Sequence, residues 1–313
     1  MVNVKVLEAG LFTSIQDLGR KGYMRFGIPV GGVMDEFSAS VANFLVGNAA
    51  SQALLEMTYV GARLEFLEEM HIAITGANLT PKLNDQDIAN WESHRVKKGD
   101  VLSFGGLVAG VRAYVAFSGS IDVPAMCGSK ATDVRARMGG LRGRALQNGD
   151  GLHIVVRPEY RLRRVPEDSR PCYLSSADLR VCLGPQEERF TPSSLHDFLQ
   201  TEYTIKVRSD RMGICLEGSQ LAYRDSTEMI SEPLVMGSVQ VPPDGQPIVL
   251  MADCQTTGGY PKIATLLKAA LITLAQMRPK DRVRFMATSV QDAQKQYQEF
   301  YARLCALKAQ IQV

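Results

Sequence analysis

The chain has 313 residues, 45% of them hydrophobic and 22% charged, with a formal net charge of +2. That balance is ordinary for a globular protein and gives no global electrostatic case for nucleic acid. At about 100–200 residues per domain the length implies two domains, and no apolar run approaches the ~18 residues of a membrane span.

Residues 1–10 alternate like a strand, with Val2, Val4 and Val6 on one face. The amino terminus has no basic stretch followed by a long apolar one, so no signal peptide is expected. Cys127, Cys172, Cys182, Cys215, Cys254 and Cys305 are widely spaced with no C-x-x-C. Without a secretion signal they imply no disulfide framework, and the expected location is the cytoplasm. Between Asp17 and Gly32 lie five glycines and Pro29, a shaped loop. A helix should follow. Asp35 is placed to cap it, Phe37, Val41, Phe44 and Leu45 form its apolar face, and Gly47 can end it.

From residue 54 to 156 the pattern is mostly β, with strands expected at 63–66, 71–75, 101–104, 112–117 and 152–156. Short strands at regular spacing suggest a barrel or sandwich. Residues 157–171 are basic and bracketed by Pro158, Pro166 and Pro171, so they read as a linker. Strands resume at 179–183, 203–208, 237–241, 248–251 and 282–286. Residues 262–277 are ambiguous: Ala and Leu favour helix, while Ile263, Ile272 and three threonines dilute it. The last segment has helical spacing through Val290, Ala293, Tyr297, Phe300, Tyr301, Leu304, Leu307 and Ile311, with Ser289 as its cap.

The four histidines are scattered, so no metal site is expected. Neither a G-x-x-x-x-G-K-S/T loop, a strand-linked G-x-G-x-x-G nor a G-x-S-x-G elbow occurs. Arginines cluster at 135, 137, 142 and 144 and again at 157, 161, 163 and 164, read as solvated faces ahead of an anion or partner site. Cys254 follows an apolar strand with no histidine near in sequence, and a packing role is favoured over a nucleophilic one. The most informative stretch is 239–261. A rigid turn at 242–245 leads to a buried-type strand, which empties into Gln255-Thr256-Thr257-Gly258-Gly259-Tyr260-Pro261. A strand fixes position while such a loop supplies amide and hydroxyl donors, with Asp253 as a base or cation anchor. A purely structural turn stands open beside that reading, and Asp35 is either a helix cap or a site carboxylate.

Several of these runs, in fixed order, resemble one family. They are residues 16–23, Gly27-Ile28-Pro29, Gly32-Val33-Met34-Asp35, residues 42–48, Leu55-Glu56, residues 119–124, 128–133, 139–144, Ser209-Asp210-Arg211-Met212-Gly213 and all of 239–261. The chain is identified as a member of the family of 5-oxoprolinase C subunits and second subunits of allophanate hydrolase, also called the biotin-dependent carboxyltransferase A/B domain. The resemblance implies a mainly β fold with a few helices: two tandem cyclophilin-like β-barrels at residues 1–165 and 166–288, with the site between them, then the helix at 289–313. It implies that 262–277 is a strand followed by a short helix.

The implied reaction is ATP-dependent opening of 5-oxo-L-proline to L-glutamate, in a complex with A-like and B-like subunits. ATP would bind to the complex through no standard motif of this chain. Under the same resemblance Asp35, Asp253 and Arg211 are the catalytic candidates, with either aspartate as the base. Asn43, Glu56, Gln240, Gln255, Thr256, Thr257, Gly258 and Tyr260 are the substrate-binding candidates. Two other readings come with the family: a non-catalytic antagonist of a kinase inhibitor that is itself B-like, and a carboxyltransferase that takes its carboxyl group from biotin for urea or a related amide. Gly31 stands where the family often has Ser, and Ile214-Cys215-Leu216 where it favours a Tyr-containing run. Both departures bear on the substrate, not the fold.

Overall fold

The computed structural model describes residues 1–158, 161–225 and 229–312. They pack as two units, one of residues 1–21, 31–173 and 303–313 and the other of residues 22–30 and 174–302.

In the first unit the alternation at the amino terminus becomes the strand Val4–Glu8, whose Val4 and Val6 are fully buried. It joins a six-stranded antiparallel sheet ordered Gly151–Leu152, Val4–Glu8, Arg63–Phe66, Val101–Phe104, Pro81–Leu83 and Gln86–Asp87. A five-stranded antiparallel sheet runs Phe12–Gln16, Leu54–Thr58, Ala109–Phe117, Met70–Asn78 and Glu92–Val96. One core joins the two sheets, with Val6, Leu64 and Phe66 from one meeting Leu55, Ile72 and Val115 from the other. Helix α1 (Glu36–Leu45) lies against Met70–Asn78 and Ala109–Phe117. With both faces covered, these two central strands are buried almost throughout. All of α1 beyond Glu36 is buried too, which explains its small polar residues Ser38, Ser40 and Asn43.

In the second unit seven strands close into a barrel, in the order Ser176–Leu183, Lys262–Leu266, Ser238–Gln240, Ile248–Leu250, Gly213–Glu217, Tyr203–Ile205 and Arg282–Ala287. The closing pair, Ser176–Leu183 with Arg282–Ala287, is the parallel one. Closure leaves no edge of this barrel unpaired. Helix α2 (Pro192–Gln200) packs on Arg282–Ala287. Its Phe198 stacks on Phe285 at 4.4 Å, with Tyr203 beside both. Helix α3 (Lys268–Ala275) follows the strand Lys262–Leu266, as the family resemblance implies and plain propensity does not. Helix α4 (Val290–Gln312) is capped by Ser289, whose Oγ accepts from the Asp292 amide at 3.0 Å.

Several expectations are corrected. The expected strand at 152–156 breaks at His153: Gly151–Leu152 joins the large sheet, and Ile154–Val156 pairs with Gly119–Ile121. The strand expected at 203–208 stops at Ile205, because Lys206 and Ser209 form a turn. Residues 157–171 are no free linker. Ser93 N donates to Arg163 O and Val165 N to Trp91 O, so the chain runs along the edge of Glu92–Val96 with Val165 fully buried. Residues 159–160 of that stretch, and residue 313 of the last segment, lie outside the described residues. The first compact unit accordingly runs on to Tyr173. Helix α4 is also shared. Leu304, Leu307 and Ile311 are buried, while Val290 is 57% and Tyr297 53% exposed. Among the described residues no helix is long and apolar enough to cross a membrane.

Candidate functional site

The candidate residues fall into two groups, one in each unit. In the first unit, residues 31–34 lead into α1, and Gly32 is required there. A Cβ at Gly32 would stand 2.7 Å from both Asp17 O and Gly19 N, at a φ of +87°. Asp17 fixes the loop from the other side, accepting from Gly19 N at 2.8 Å, Ser129 Oγ at 2.6 Å and Lys130 N at 2.6 Å.

Asp35 caps α1. Its Oδ1 accepts from Ser38 N at 3.0 Å and its Oδ2 from Ser38 Oγ at 2.5 Å. Glu56, on Leu54–Thr58, takes Met34 N at 2.8 Å and the Tyr114 hydroxyl at 2.9 Å on the same oxygen. That hydroxyl in turn accepts from Asp35 N at 2.9 Å. Burial pushes the Tyr114 phenol well above its ordinary range, and the charges of Glu56 and Asp35 add to this. The phenol therefore keeps its proton and donates it to Glu56. Asn43 donates to Gln52 O at 2.8 Å and accepts from Asn48, which donates onward to Phe117 O. Asp35, Asn43 and Glu56 are all buried, and they fix the course of the chain around α1.

In the second unit, Arg211 and Asp253 hold each other through two hydrogen bonds, Nε to Oδ2 at 2.7 Å and Nη2 to Oδ1 at 2.8 Å. Their backbones are paired as well: Asp253 N donates to Arg211 O and Met251 N to Met212 O, extending the ladder of Gly213–Glu217 with Ile248–Leu250. A fork-to-fork pair of this kind is rigid and directional. Arg211 is only 8% exposed. Each oxygen of Asp253, like each oxygen of Asp35, already accepts a hydrogen bond. Either aspartate was expected as the base, and in the structure each also anchors its loop.

Cys254 packs with Leu234 and Leu250. Burial, with the neighbouring Asp253 charge adding to it, pushes its thiol up to about 11. A thiol so placed is protonated at neutral pH, which accords with a packing role.

Beyond Cys254 the loop is tied down on one side and open on the other. Leu234 N donates to Thr256 O, and Thr257–Gly258 pairs antiparallel with Glu232–Pro233. Gln240, buried on Ser238–Gln240, donates to Tyr260 O at 3.1 Å, and Val241 N donates to Pro261 O. A Cβ at Gly258 would stand 2.7 Å from Leu234 Cδ1 and 3.0 Å from Gln240 Nε2, so a larger residue here would press on both side chains. Thr256 is buried, whereas Gln255, Thr257 and Tyr260 are exposed, the last at 45%. The arrangement presents an amide, a hydroxyl and a phenol on a backbone held at both ends.

Sequence reasoning passed over Glu232, Lys262 and Gln186. Lys262 Nζ lies 2.8 Å from Glu232 Oε2, and Gln186 Nε2 lies 2.8 Å from the same oxygen. These residues are far apart in the chain and form no local motif; only the pairing of strands brings them together. Of the arginine clusters, Arg144 is taken up by Asp150 in a two-pronged pair at 2.7 and 2.8 Å. Among the described residues no group of three or more His, Cys, Asp and Glu could hold a metal ion.

Residues 26–287 match the family model of the carboxyltransferase domain, subdomain A and B. The chain is 36% identical over 296 residues to the 5-oxoprolinase C subunit of Haemophilus influenzae, covering 93% of each chain. It is 36% identical over 300 residues to the 5-oxoprolinase C subunit of Escherichia coli, covering 95% of this chain and 94% of that one. Among solved structures, urea carboxylase of Kluyveromyces lactis superposes with a TM-score of 0.93 at 29% identity over 98% of this chain. The match spans 29% of that enzyme's length.

Proposed function

Because the chain belongs to the carboxyltransferase subdomain A and B family, we propose that it is the C subunit of an ATP-dependent 5-oxoprolinase, opening 5-oxo-L-proline to L-glutamate with A-like and B-like partners. The observation that carries this reading is its likeness to 5-oxoprolinase C subunits along 93% of both chains.

A lactam carbonyl is a poor electrophile. Transfer of the ATP γ-phosphoryl group to the lactam oxygen opens the ring carbon to attack by a first water; the C–N bond then breaks to leave γ-glutamyl phosphate, and a second water hydrolyses that acyl phosphate to glutamate and phosphate. ATP is the complex's co-substrate and supplies the phosphoryl group; this chain has no standard nucleotide motif. Its own task is to hold the ring and its oxygen with positioned donors. Gln255, Thr257 and Tyr260 take that role, since their side chains are exposed on a pinned backbone. Arg211 and Asp253 anchor the start of the loop, Gln240 its end, and Thr256 and Gly258 its close approach to Leu234 and its neighbours. Asp35, Asn43 and Glu56 set the shape of the first unit's loop around α1.

A second reading, transfer of a carboxyl group from biotin to urea or a related amide, is favoured by the superposition on urea carboxylase. It calls for biotin brought by a separate carrier. The two readings separate when the chain, mixed with its A-like and B-like partners, is given 5-oxoproline with ATP in one arm and urea with carboxybiotin in the other. The oxoprolinase reading expects glutamate in the first arm and no loss of urea in the second; urea consumption alone would overturn it.

A further inference from the structure

The ladder that carries the loop is only two residues long on each side, Glu232–Pro233 against Thr257–Gly258. So short a ribbon does not hold itself in water. Beside the backbone bonds at its ends, it is held by the Glu232 side chain. One oxygen, Oε2, accepts from Lys262 Nζ and from Gln186 Nε2, both at 2.8 Å. Gln186 is itself locked to the backbone of Lys262 in both directions. Lys262 N donates to Gln186 Oε1 at 3.0 Å, and Gln186 N donates to Lys262 O at 3.1 Å. A single carboxylate thus ties the ribbon to the barrel strand Lys262–Leu266.

The two ends of this tie differ. Lys262 is 5% exposed, so its side chain is fixed by the barrel, whereas the Glu232 side chain is 44% exposed. An ordinary surface ion pair contributes little, because two long side chains must both be ordered. Here one partner is ordered already. Among the described residues Glu232 is the one acid within ion-pair reach of Lys262. The Lys262 hydrogen bond is also the main reason that the Glu232 carboxyl is held below its usual range, with Gln186 adding to it. The tie is therefore charged across the neutral range.

We propose that Glu232 is a positioning residue: gripped by Lys262 and Gln186, it sets the place of Thr257 and Gly258 and through them the aim of Gln255, Thr257 and Tyr260. This rests on the reading of that loop as the part that holds the substrate. It adds three residues to the site that touch no substrate and act through the loop backbone.

The test uses Glu232→Gln, Lys262→Met and Lys262→Arg in the full chain. The first readout is backbone hydrogen exchange at residues 256–260, with Ile248–Leu250 as the reference within the same unit. The expected result is exchange about 10-fold faster in Glu232→Gln and Lys262→Met, the equivalent of one lost charge-assisted hydrogen bond. The reference strand should be unchanged, and Lys262→Arg should restore the wild-type rate. The second readout is kinetic, in the reconstituted complex. KM for 5-oxoproline should rise in Glu232→Gln while kcat stays within about threefold, the mark of lost binding rather than lost chemistry. Unchanged loop exchange in Glu232→Gln would overturn the proposal, as would equal acceleration in the loop and the reference strand. If Lys262→Met fails to fold, Glu232→Gln at the exposed end still decides. If the wild-type complex does not turn over 5-oxoproline, the functional reading falls, and the exchange measurement still judges the tie.

Discussion

Arg211 and Asp253 are 42 residues apart in the chain and are joined twice, through side chains at 2.7 and 2.8 Å and through Asp253 N to Arg211 O at 2.9 Å. The pair fixes the point at which the barrel strand Ile248–Leu250 gives way to the loop. It also holds the Asp253 carboxylate in one orientation, both oxygens turned to the guanidinium. Replacing Asp253 by Asn removes the negative charge that faces Arg211 Nε and Nη2 in a nearly closed site. The expected loss is about 3 kcal/mol in urea denaturation, at the low end for a broken buried pair. Arg211→Lys should not preserve stability, because an ammonium cannot supply the two-pronged geometry. Unchanged stability in both variants would contradict the anchoring role.

Gly258 and Gly259 are neighbours with opposite surroundings. A Cβ at Gly258 meets Leu234 Cδ1 at 2.7 Å, whereas one at Gly259 comes no closer than 3.4 Å to Met229 O. Gly258→Ala should cost about 1–3 kcal/mol through overpacking. Gly259→Ala should stay within about 0.5 kcal/mol of wild type. Thermal unfolding of the two variants side by side checks the difference.

Cys254 should behave as a packing residue. With its thiol pushed up to about 11, the thiolate fraction at pH 7 is about one part in 10⁴. Alkylation at Cys254, followed by mass spectrometry of the native chain, should be slow at neutral pH and rise towards pH 11. Cys254→Ala should keep turnover in the reconstituted complex. Rapid labelling at pH 7 or loss of turnover would overturn this assignment.

The Glu232–Lys262 pair carries a pH signature. The folded carboxyl sits below the ordinary glutamate value of 4.5. Its contribution to stability is therefore fully present above the unfolded value and is lost as pH falls through the lower folded value. The stability difference between wild type and Glu232→Gln should be constant through neutral pH and shrink on acidification. A difference that grows as pH falls would contradict the pairing.

Local signals were readable where the chemistry is local. Asp35 caps α1 as its sequence position implies, because a cap needs only its own next three residues. The loop at 255–261 was legible from its glycines and from the apolar strand before it. The strand and helix at 262–275 needed the family resemblance, since propensity alone points both ways. Helix α2 escaped notice because Pro192-Ser193-Ser194 looks like a turn; Pro at its first position and the Thr191 cap make it a helix start. The pairing of residues 163–165 with Glu92–Val96 and its flank rests on backbone bonds that a basic, proline-bracketed segment does not announce. Glu232, Lys262 and Gln186 were illegible because their meeting depends on which strands pair.

If this chain completes a 5-oxoprolinase, the yield of glutamate per ATP hydrolysed depends on it. The A-like and B-like subunits are assayed with 5-oxoproline, with and without this chain. 5-oxoproline-dependent ATP hydrolysis coupled to glutamate should appear when all three are present and not without this chain. Turnover should fall when Gln255 and Thr257 are both replaced by Ala. Coupled turnover that is the same with and without this chain would contradict that reading.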